Sequence, residues 1–362
     1  MDIGIYTFGD LPANARGPQA AQRRLQEIVA AAQLADEAGL QVFGVGEHHR
    51  ADYAVSAHTV VLGAIAARTR QIRLTSAVTI LSSADPVRVF EDFATLDLLS
   101  GGRAELMAGR GAFVESFPLF GHALEDYESL YNEKLALLLQ LRAQDRISWQ
   151  GRHRPALTDA EVSPRPVAAR LPVWIGAGGT PQSAVRAGQL GLPLNLANIG
   201  GEPARFKPFI DLYRQTGLRA GHALEDLQVA ISGHLHVQAD AQRARDEFFG
   251  HYTHYMRHNL PQRDRGWEIS RSDYEQLAGP RGSLFVGSPQ QIVDKILYEH
   301  ELFGHQRFLA QIDIGGLPFA KVAQAIELLA TEVLPVVRRA TGAATAVAPE
   351  ISNKGVAHAA PA

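Results

Sequence analysis

A histidine stands at the end of a predicted buried strand, in the stretch GVGEHHR. The apolar run LQVFGVG stops there at an acid, two histidines and an arginine. Because side chains alternate along a strand, Gly44 and Gly46 lie on the same face as His48, beneath it. Imidazole exchanges protons near neutral pH, and two glycines leave volume that a flat ligand would fill. The alternative is a histidine that only caps the strand and bonds to backbone.

An arginine flanked by glycines ends the fourth predicted strand, in MAGRGAF. Arg110 lies between Gly109 and Gly111. A guanidinium fork matches the oxygens of a phosphate, and glycines permit close approach of a ligand. The sequence therefore favours a phosphate contact at Arg110. The alternative is an ion pair with a local carboxylate.

A glycine-rich turn precedes a helix in IGAGGTPQSAVRAG. The predicted strand ends in Gly178 and Gly179, and Thr180 is predicted to cap the helix that follows. The first amides of that helix, with the hydroxyls of Thr180 and Ser183, form an anion nest. Neither the dinucleotide fingerprint nor the P-loop spacing is present, so one phosphate fits better than a pyrophosphate. The alternative is simply a well-capped helix.

Three predicted helices share the same kind of start. Asp85, Thr180 and Ser288 each precede a proline, so each is predicted to cap a helix with its side chain.

Histidines elsewhere in the chain raise the question of a metal. His234 and His236 fall on one face of a predicted strand, and three more histidines fall on one face of a predicted helix (His251, His254, His258). Neither group has a carboxylate close in sequence, so we predict no metal site.

Composition limits the class of protein. The 362 residues are 46% hydrophobic and 20% charged, with a net charge of -3 and no cysteine. This near-neutral balance argues against nucleic acid or an anionic membrane as a partner. The missing cysteines exclude disulfides and thiolate metal sites. No signal peptide or membrane span is predicted, so a cytoplasmic location is expected.

Strands and helices alternate along the chain, which predicts an α/β fold. Eight strands separated by helices favour a (β/α)8 TIM barrel, with an open doubly wound sheet as the alternative. The predicted strands are residues 3–8, 41–48, 71–80, 103–111, 171–179, 192–198, 227–238 and 307–316.

The chain is longer than a plain barrel of about 250 residues. The excess predicts insertions after strands four and seven, and the second, which carries Trp267, could serve as a lid. Residues 1–340 are predicted to form the barrel domain, and residues 341–362 a disordered C-terminal tail.

Four stretches, taken together, resemble the bacterial luciferase-like family of flavin-dependent monooxygenases (LLM class oxidoreductases). They occur in the order of that family and extend over about residues 1–338: GVGEHHR, QIRLTSAVTILSSADPVRVFEDFATLDLLSGGRAELMAGRG, PVWIGAGGTPQSAVRAG and FVGSPQQIVDKI. The resemblance implies a (β/α)8 barrel, usually a homodimer, that binds reduced FMN supplied by a separate flavin reductase. It also implies reaction with O2 through a C4a-peroxyflavin to oxygenate a small organic substrate such as an aldehyde or ketone.

The resemblance also implies roles for particular residues. His48 would be a catalytic acid/base or hydrogen-bond donor near the flavin, and Arg110 would bind the phosphate. The remaining cofactor-binding residues would be Gly178, Gly179, Thr180 and Ser183 at the phosphate and Ala77, Val78 and Thr79 against the isoalloxazine ring, with a cis peptide expected at Ala77–Val78. Light-emitting relatives carry a cysteine where this chain has Gly109, which argues against luminescence.

Three other functions stay open on the sequence. One is an F420-dependent oxidoreductase of the same superfamily, which transfers hydride without oxygen. A second is a flavin-binding protein without turnover. The third is a metal-dependent barrel hydrolase.

Overall fold

The computed structural model describes residues 1–111, 113–167, 170–259 and 269–342. Its strands are β1 (Asp2–Thr7), β2 (Val42–Val45), β3 (Arg73–Ser76), β4 (Thr79–Ile80), β5 (Ala104–Gly109), β6 (Arg146–Trp149), β7 (Leu157–Glu161), β8 (Val173–Ala177), β9 (Leu194–Ala197), β10 (Val229–Val237), β11 (Phe285–Gly287) and β12 (Arg307–Gln311). Trp267 and residues 343–362 of the predicted tail lie outside the described residues.

The helices of the described residues surround the strands. They are α1 (Pro18–Glu37), α2 (His58–Ala66), α3 (Pro86–Ser100), α4 (Ser116–Leu119), α5 (Tyr127–Ala143), α6 (Pro181–Leu190), α7 (Lys207–Arg219), α8 (Ala241–Asn259), α9 (Arg271–Ala278), α10 (Pro289–Phe303), α11 (Phe319–Leu328) and α12 (Leu334–Ala340). None of the helices described is both long and apolar enough to cross a membrane.

Eight parallel strands of the described chain close into a barrel. Their order is β1, β2, β3, β5, β8, β9, β10 and β12, and β12 pairs in turn with β1. The pairing of β9 with β10 completes the ring. The (β/α)8 prediction is therefore confirmed, and the open doubly wound sheet is wrong. Because all eight strands run the same way, their carboxyl ends meet at one mouth.

The third predicted strand is interrupted. Residues 71–80 form β3 and β4, separated by Ala77 and Val78, whose peptide bond is cis as the resemblance implied. β3 pairs with β2 and with the start of β5, whereas β4 pairs only with the end of β5. The chain therefore changes course at the mouth and presents Val78 there.

The two insertions follow barrel strands four and seven, as predicted. The first contains α4, α5 and the antiparallel hairpin of β6 and β7. The second contains α8, α9 and β11, which lengthens the sheet beside the upper end of β10.

The interior of the barrel is filled by side chains. Large residues such as Tyr6, Met107 and Trp174 pack there. Below them, Arg307 makes a bidentate ion pair with Glu105, at 2.6 and 3.0 Å, and its guanidinium lies 4.4 Å from the ring centre of Trp174. The barrel is therefore a packed core, and a ligand can bind only at the mouth.

Two of the three predicted helix caps are confirmed. Asp85 accepts hydrogen bonds from two amides at the start of α3, and Ser288 forms a capping box at the start of α10. The cap predicted at Thr180 is wrong, because its side chain makes no bond to the amides of α6. Its hydroxyl instead faces Arg110 and Ser183.

Candidate functional site

His48 lies in an aromatic box at the mouth. It follows β2, and its ring centre is 4.7 Å from that of Phe8, 4.3 Å from Tyr53 and 4.9 Å from Phe113. Its Nδ1 atom is 3.1 Å from Oε1 of Glu115. The histidine is thus a buried, hydrogen-bonded group whose ring orientation is fixed by packing.

Burial lowers the pKa of His48, and the hydrogen bond and charge of Glu115 offset only part of that effect. For Glu115, burial acts to raise the pKa of the carboxyl. The hydrogen bond from His48, with the charges of His48 and Arg50, outweighs it and leaves that pKa below its usual value. At neutral pH the pair is therefore a neutral imidazole beside a carboxylate.

The volume expected beside Gly44 and Gly46 is not open, so that prediction is wrong. A Cβ atom on Gly46 would lie 2.5 Å from the carbonyl oxygen of Ala77 and would collide with the ring of Phe8. A Cβ on Gly44 would lie 2.9 Å from Cβ of Tyr6. These glycines let Tyr6, Phe8 and Ala77 approach the strand and form a packed layer. A flat ligand has to lie above this layer.

Val78 forms the top of that layer, between Ala77 and Thr79. Two glycines make room for it: a Cβ on Gly109 would lie 2.5 Å from a Val78 methyl, and one on Gly176 would lie 2.6 Å from the other. Val78 itself is half-buried. It therefore offers an apolar surface at the mouth.

Thr79 is held from below by a chain of polar groups that the sequence prediction missed. Nε2 of His58 lies 2.8 Å from the hydroxyl of Thr79, and the carboxylate of Glu47 accepts the amide of Ile80 at 2.7 Å. Glu47 also bonds His49 at 3.0 Å. Burial acts to raise the pKa of Glu47, but these partners outweigh it and lower that pKa. Glu47 therefore stays ionised and ties the end of β2 to β4.

Arg110 joins two loops at the same mouth. Its Nη2 donates to the hydroxyls of Thr180, at 2.9 Å, and Ser183, at 3.2 Å, and these hydroxyls lie 2.8 Å apart. Its Nη1 pairs with Glu128, whose other oxygen accepts from Arg186 at 3.1 Å. Both interpretations of Arg110 therefore hold in the structure. Arg110 faces the loop of Gly178, Gly179 and Thr180 that was predicted to bind an anion (the anion loop), and it also pairs with a carboxylate.

The two glycines before Thr180 differ in their surroundings. Gly179 has a φ of 98°, and a Cβ there would lie 2.6 Å from the ring of Phe206. A Cβ on Gly178 would meet nothing within 4 Å. Space for a ligand is therefore present beside Gly178, next to the hydroxyls of Thr180 and Ser183.

A cavity of about 1050 Å³ lies between the residues that follow β9 and those of α8 and α9. Arg205 lines it, and the next residue along the chain, Phe206, packs against Gly179. The apolar lining of the cavity includes Ile199, Tyr252, Met256, Ile269 and Leu277, and the charged residues in the described part of its lining are Glu202, Arg205, Asp273 and Arg281. In this described lining two cations balance two anions, which favours a neutral, apolar molecule.

No cluster of three metal-ligating side chains occurs in the described ranges. His234 packs against Tyr255, at 5.3 Å between ring centres, and burial lowers its pKa to about 3. His236 lies 3.4 Å from Glu247 and stacks on Phe248. These two histidines are core residues.

Comparison with known proteins gives the family. The model of the luciferase-like monooxygenase family matches residues 1–306. The chain belongs to this family. N-acetyl-S-alkylcysteine monooxygenase of Bacillus subtilis is 36% identical over 184 residues, which are 49% of this chain and 52% of that protein. The alkanal monooxygenase alpha chain of the Kryptophanaron alfredi symbiont is 22% identical over 91% of this chain and 97% of its own.

Solved structures share the fold. The monooxygenase RslO1 from Streptomyces bottropensis has a TM-score of 0.81 at 23% identity, covering 93% of this chain and 99% of its own. The oxygenating constituent of 3,6-diketocamphane monooxygenase of Pseudomonas putida, in complex with FMN, has a TM-score of 0.72 at 16% identity, over 92% and 98%. An F420-dependent secondary alcohol dehydrogenase, with its F420-acetone adduct, has a TM-score of 0.71 at 17% identity, over 93% and 99%. At these identities the likeness concerns the barrel alone.

The contact between Gly109 and Val78 gives a stability prediction. Gly109→Ala should lower the free energy of unfolding in urea by about 1–3 kcal/mol, a usual cost of overpacking. Rotation of the valine gives little relief, because its Cβ would also lie 3.0 Å from the new methyl. Gly178→Ala is the control and should leave stability unchanged. Equal loss in both variants would contradict the packing assigned to Val78.

Proposed function

We propose that this protein is an FMN-dependent monooxygenase that uses reduced FMN and O2 to insert an oxygen atom into an organic substrate. The observation that carries the proposal is the arrangement of Arg110 with the hydroxyls of Thr180 and Ser183 at the mouth that also holds His48. A guanidinium and two hydroxyls suit a phosphate monoester. Membership of a monooxygenase family supports an oxygenase rather than an unrelated phosphate-binding barrel.

The chemistry of the residues present fits FMN. The phosphate would be held by Arg110, Thr180 and Ser183, with Gly178 and Gly179 allowing close approach. The isoalloxazine ring would rest on Ala77, Val78 and Thr79, because Val78 is apolar and half-buried at the mouth. The hydroxyl of Thr180 does not cap α6 and instead lies beside Arg110 and Ser183, where a phosphate could join the same hydrogen bonds.

The residues around this site would divide the work. Reduced FMN, when bound, supplies the electrons and the reaction with O2. His48 would hold or move a proton beside the isoalloxazine ring, since its pKa lies below the usual value and the imidazole is neutral at pH 7. The aromatic box of Phe8, Tyr53 and Phe113 would keep water away from the imidazole of His48.

The neighbouring cavity supports an organic substrate larger than a short aldehyde. Its volume of about 1050 Å³ is slightly larger than that of most ligand pockets, roughly 300–1,000 Å³. The walls that the structure describes are mainly apolar, and the charges among them cancel. We therefore propose a bulky, neutral, apolar substrate that bears the carbonyl or sulfur atom to be oxygenated.

Oxygen uptake tests the function. The protein, with reduced FMN from an added flavin reductase, should consume O2 in step with substrate oxygenation, and bulky apolar ketones, aldehydes or thioethers should react faster than short aldehydes. Reduced F420 without O2 should support no turnover. Hydride transfer from F420 would instead favour the F420-dependent oxidoreductase, whose fold is equally similar. Tight FMN binding with no oxygenated product from any substrate would favour a flavin-binding protein without turnover.

The roles of Arg110 and His48 should separate in kinetics. Arg110→Ala removes a charged hydrogen bond of about 1.5–3 kcal/mol, so the Kd for FMN should rise roughly 10- to 150-fold. His48→Asn should lower kcat by roughly 100- to 10,000-fold and leave that Kd nearly unchanged. Arg146→Ala, in an ion pair on the β6–β7 hairpin, is the control for loss of an arginine. Equal effects of the Arg110 and His48 variants on both constants would refute the assignment.

We also propose that a separate flavin reductase is the redox partner.

The homodimer expected from the resemblance is a second proposal. Helices α2 and α3 are neighbours. Each carries a large exposed apolar side chain: Val60 on α2 is 72% exposed and Leu99 on α3 is 68% exposed. Burial of these side chains against a second copy would remove them from water. Leu99→Glu should convert the dimer into a folded monomer in sedimentation velocity, whereas Leu218→Glu on α7 should not. A wild-type protein that is monomeric at every concentration would exclude the dimer.

A further inference from the structure

In the described part of the chain, the side chain of Glu115 is hydrogen-bonded to the imidazole of His48. Its Oε1 lies 3.1 Å from Nδ1 of the imidazole, and both side chains are largely withdrawn from water, with 17% and 6% exposed. Packing against Phe8, Tyr53 and Phe113 holds the ring in this orientation. The contact is therefore built into the site and is not a transient surface pair.

The charge state of the pair fixes the tautomer of the histidine. A carboxylate can only accept hydrogen bonds, so Nδ1 has to carry the hydrogen that lies between it and Glu115. In a neutral imidazole the other nitrogen, Nε2, then holds the lone pair. His48 is thereby prepared to accept a proton at Nε2 rather than to donate one from it.

Other charged and titratable groups near the ring do not replace Glu115. Arg50 and Asp52 pair with each other, through Nε and Oδ1 at 3.0 Å, so their charges largely cancel at His48. Tyr53 stays protonated, because burial raises its pKa well above the usual value. Glu115 is therefore the main source of negative charge directly on the ring.

The loop that carries Glu115 begins at the predicted phosphate contact. Arg110 precedes Phe113 by three residues and Glu115 by five, and the hydroxyl of Tyr127 donates to the carbonyl of Gly111 at 2.6 Å. Arg110 and the partner of His48 therefore lie only five residues apart in the chain.

We propose that Glu115 is a positioning residue that makes His48 a proton acceptor at Nε2. This inference rests on the function proposed above. In the step it supports, the bond between a proton and the bound reactant breaks, its electron pair stays on the reactant, and the lone pair of Nε2 forms the new bond to the proton. Nδ1 keeps its hydrogen, and the resulting imidazolium is stabilised by the carboxylate of Glu115. Return of the proton to product or solvent restores the neutral ring.

Nuclear magnetic resonance of protein labelled with ¹⁵N and ¹³C in histidine tests the proposal without any turnover. The signals of His48, assigned by their loss in His48→Asn, should show hydrogen on Nδ1 at neutral pH. In Glu115→Gln the pKa of His48 should fall by about one pH unit, because an opposite charge beside the ring is lost. Glu125→Gln, which removes an equal charge from an exposed position ten residues further along the chain, should leave the pKa of His48 unchanged.

The pH profile of turnover gives an independent readout. A base works in its deprotonated form, so activity is lost as pH falls through its pKa. Removal of the Glu115 charge lowers that pKa, and the acid limb of kcat should therefore shift to lower pH in Glu115→Gln. Glu115→Ala should lower kcat at least 10-fold with an unchanged Kd for FMN, and Glu115→Asp should recover part of the loss.

Two results would overturn the role of Glu115. One is a histidine signal with hydrogen on Nε2 in the wild type, and the other is a pKa of His48 that Glu115→Gln leaves unchanged. If the protein lacks oxygenase activity but the resonance results hold, the proposed function fails and the pairing stands. If oxygenation occurs and the pH profile does not move, the pairing has no catalytic consequence.

Discussion

Hydrogen bonds between β12 and β1 and between β9 and β10 turn a row of parallel strands into a ring, and the whole site depends on that closure. His48, Arg110 and Thr180 are far apart in sequence, yet each follows a strand that ends at the same mouth. The packed interior, closed below by Arg307 and Glu105, leaves no room for a ligand deeper in the barrel. Closure thus decides both which residues meet and where a ligand can bind.

Glycines then decide the height at which a ligand can lie. Tyr6, Phe8 and Ala77 occupy the space beside Gly44 and Gly46. These two glycines therefore allow close packing at the mouth and leave no open volume there. Gly109 and Gly176 admit the methyls of Val78. Gly178, by contrast, faces free space. The same residue type therefore does two different things within one site, according to what packs beside it.

Much of this arrangement was predictable from the sequence. Alternating strand and helix patterns gave the eight barrel strands and both insertions, because each barrel strand is a buried apolar run. The proximity of Arg110 to Thr180 and Ser183 followed from their positions at the ends of parallel strands. The polar strand β7 was missed, because it pairs on the surface and lacks an apolar face.

Other features of the site depend on tertiary contacts that no local pattern records. Thr180 was expected to cap α6, but Arg110, distant in sequence, attracts its hydroxyl instead. Glu115 and His58 were not identified, since nothing beside them in sequence marks an acid or a histidine as a partner of His48 or Thr79. Which side chains fill the space beside a glycine is likewise set by neighbouring strands.

The carboxylate of Glu128 is shared between Arg110 and Arg186. Without that counter-charge the two arginines would repel each other whenever no anion was bound. With Glu128 between them, one negative charge offsets half of their positive charge and reduces that repulsion. The mouth can therefore keep its shape without a bound anion, as the proposed exchange of FMN would require.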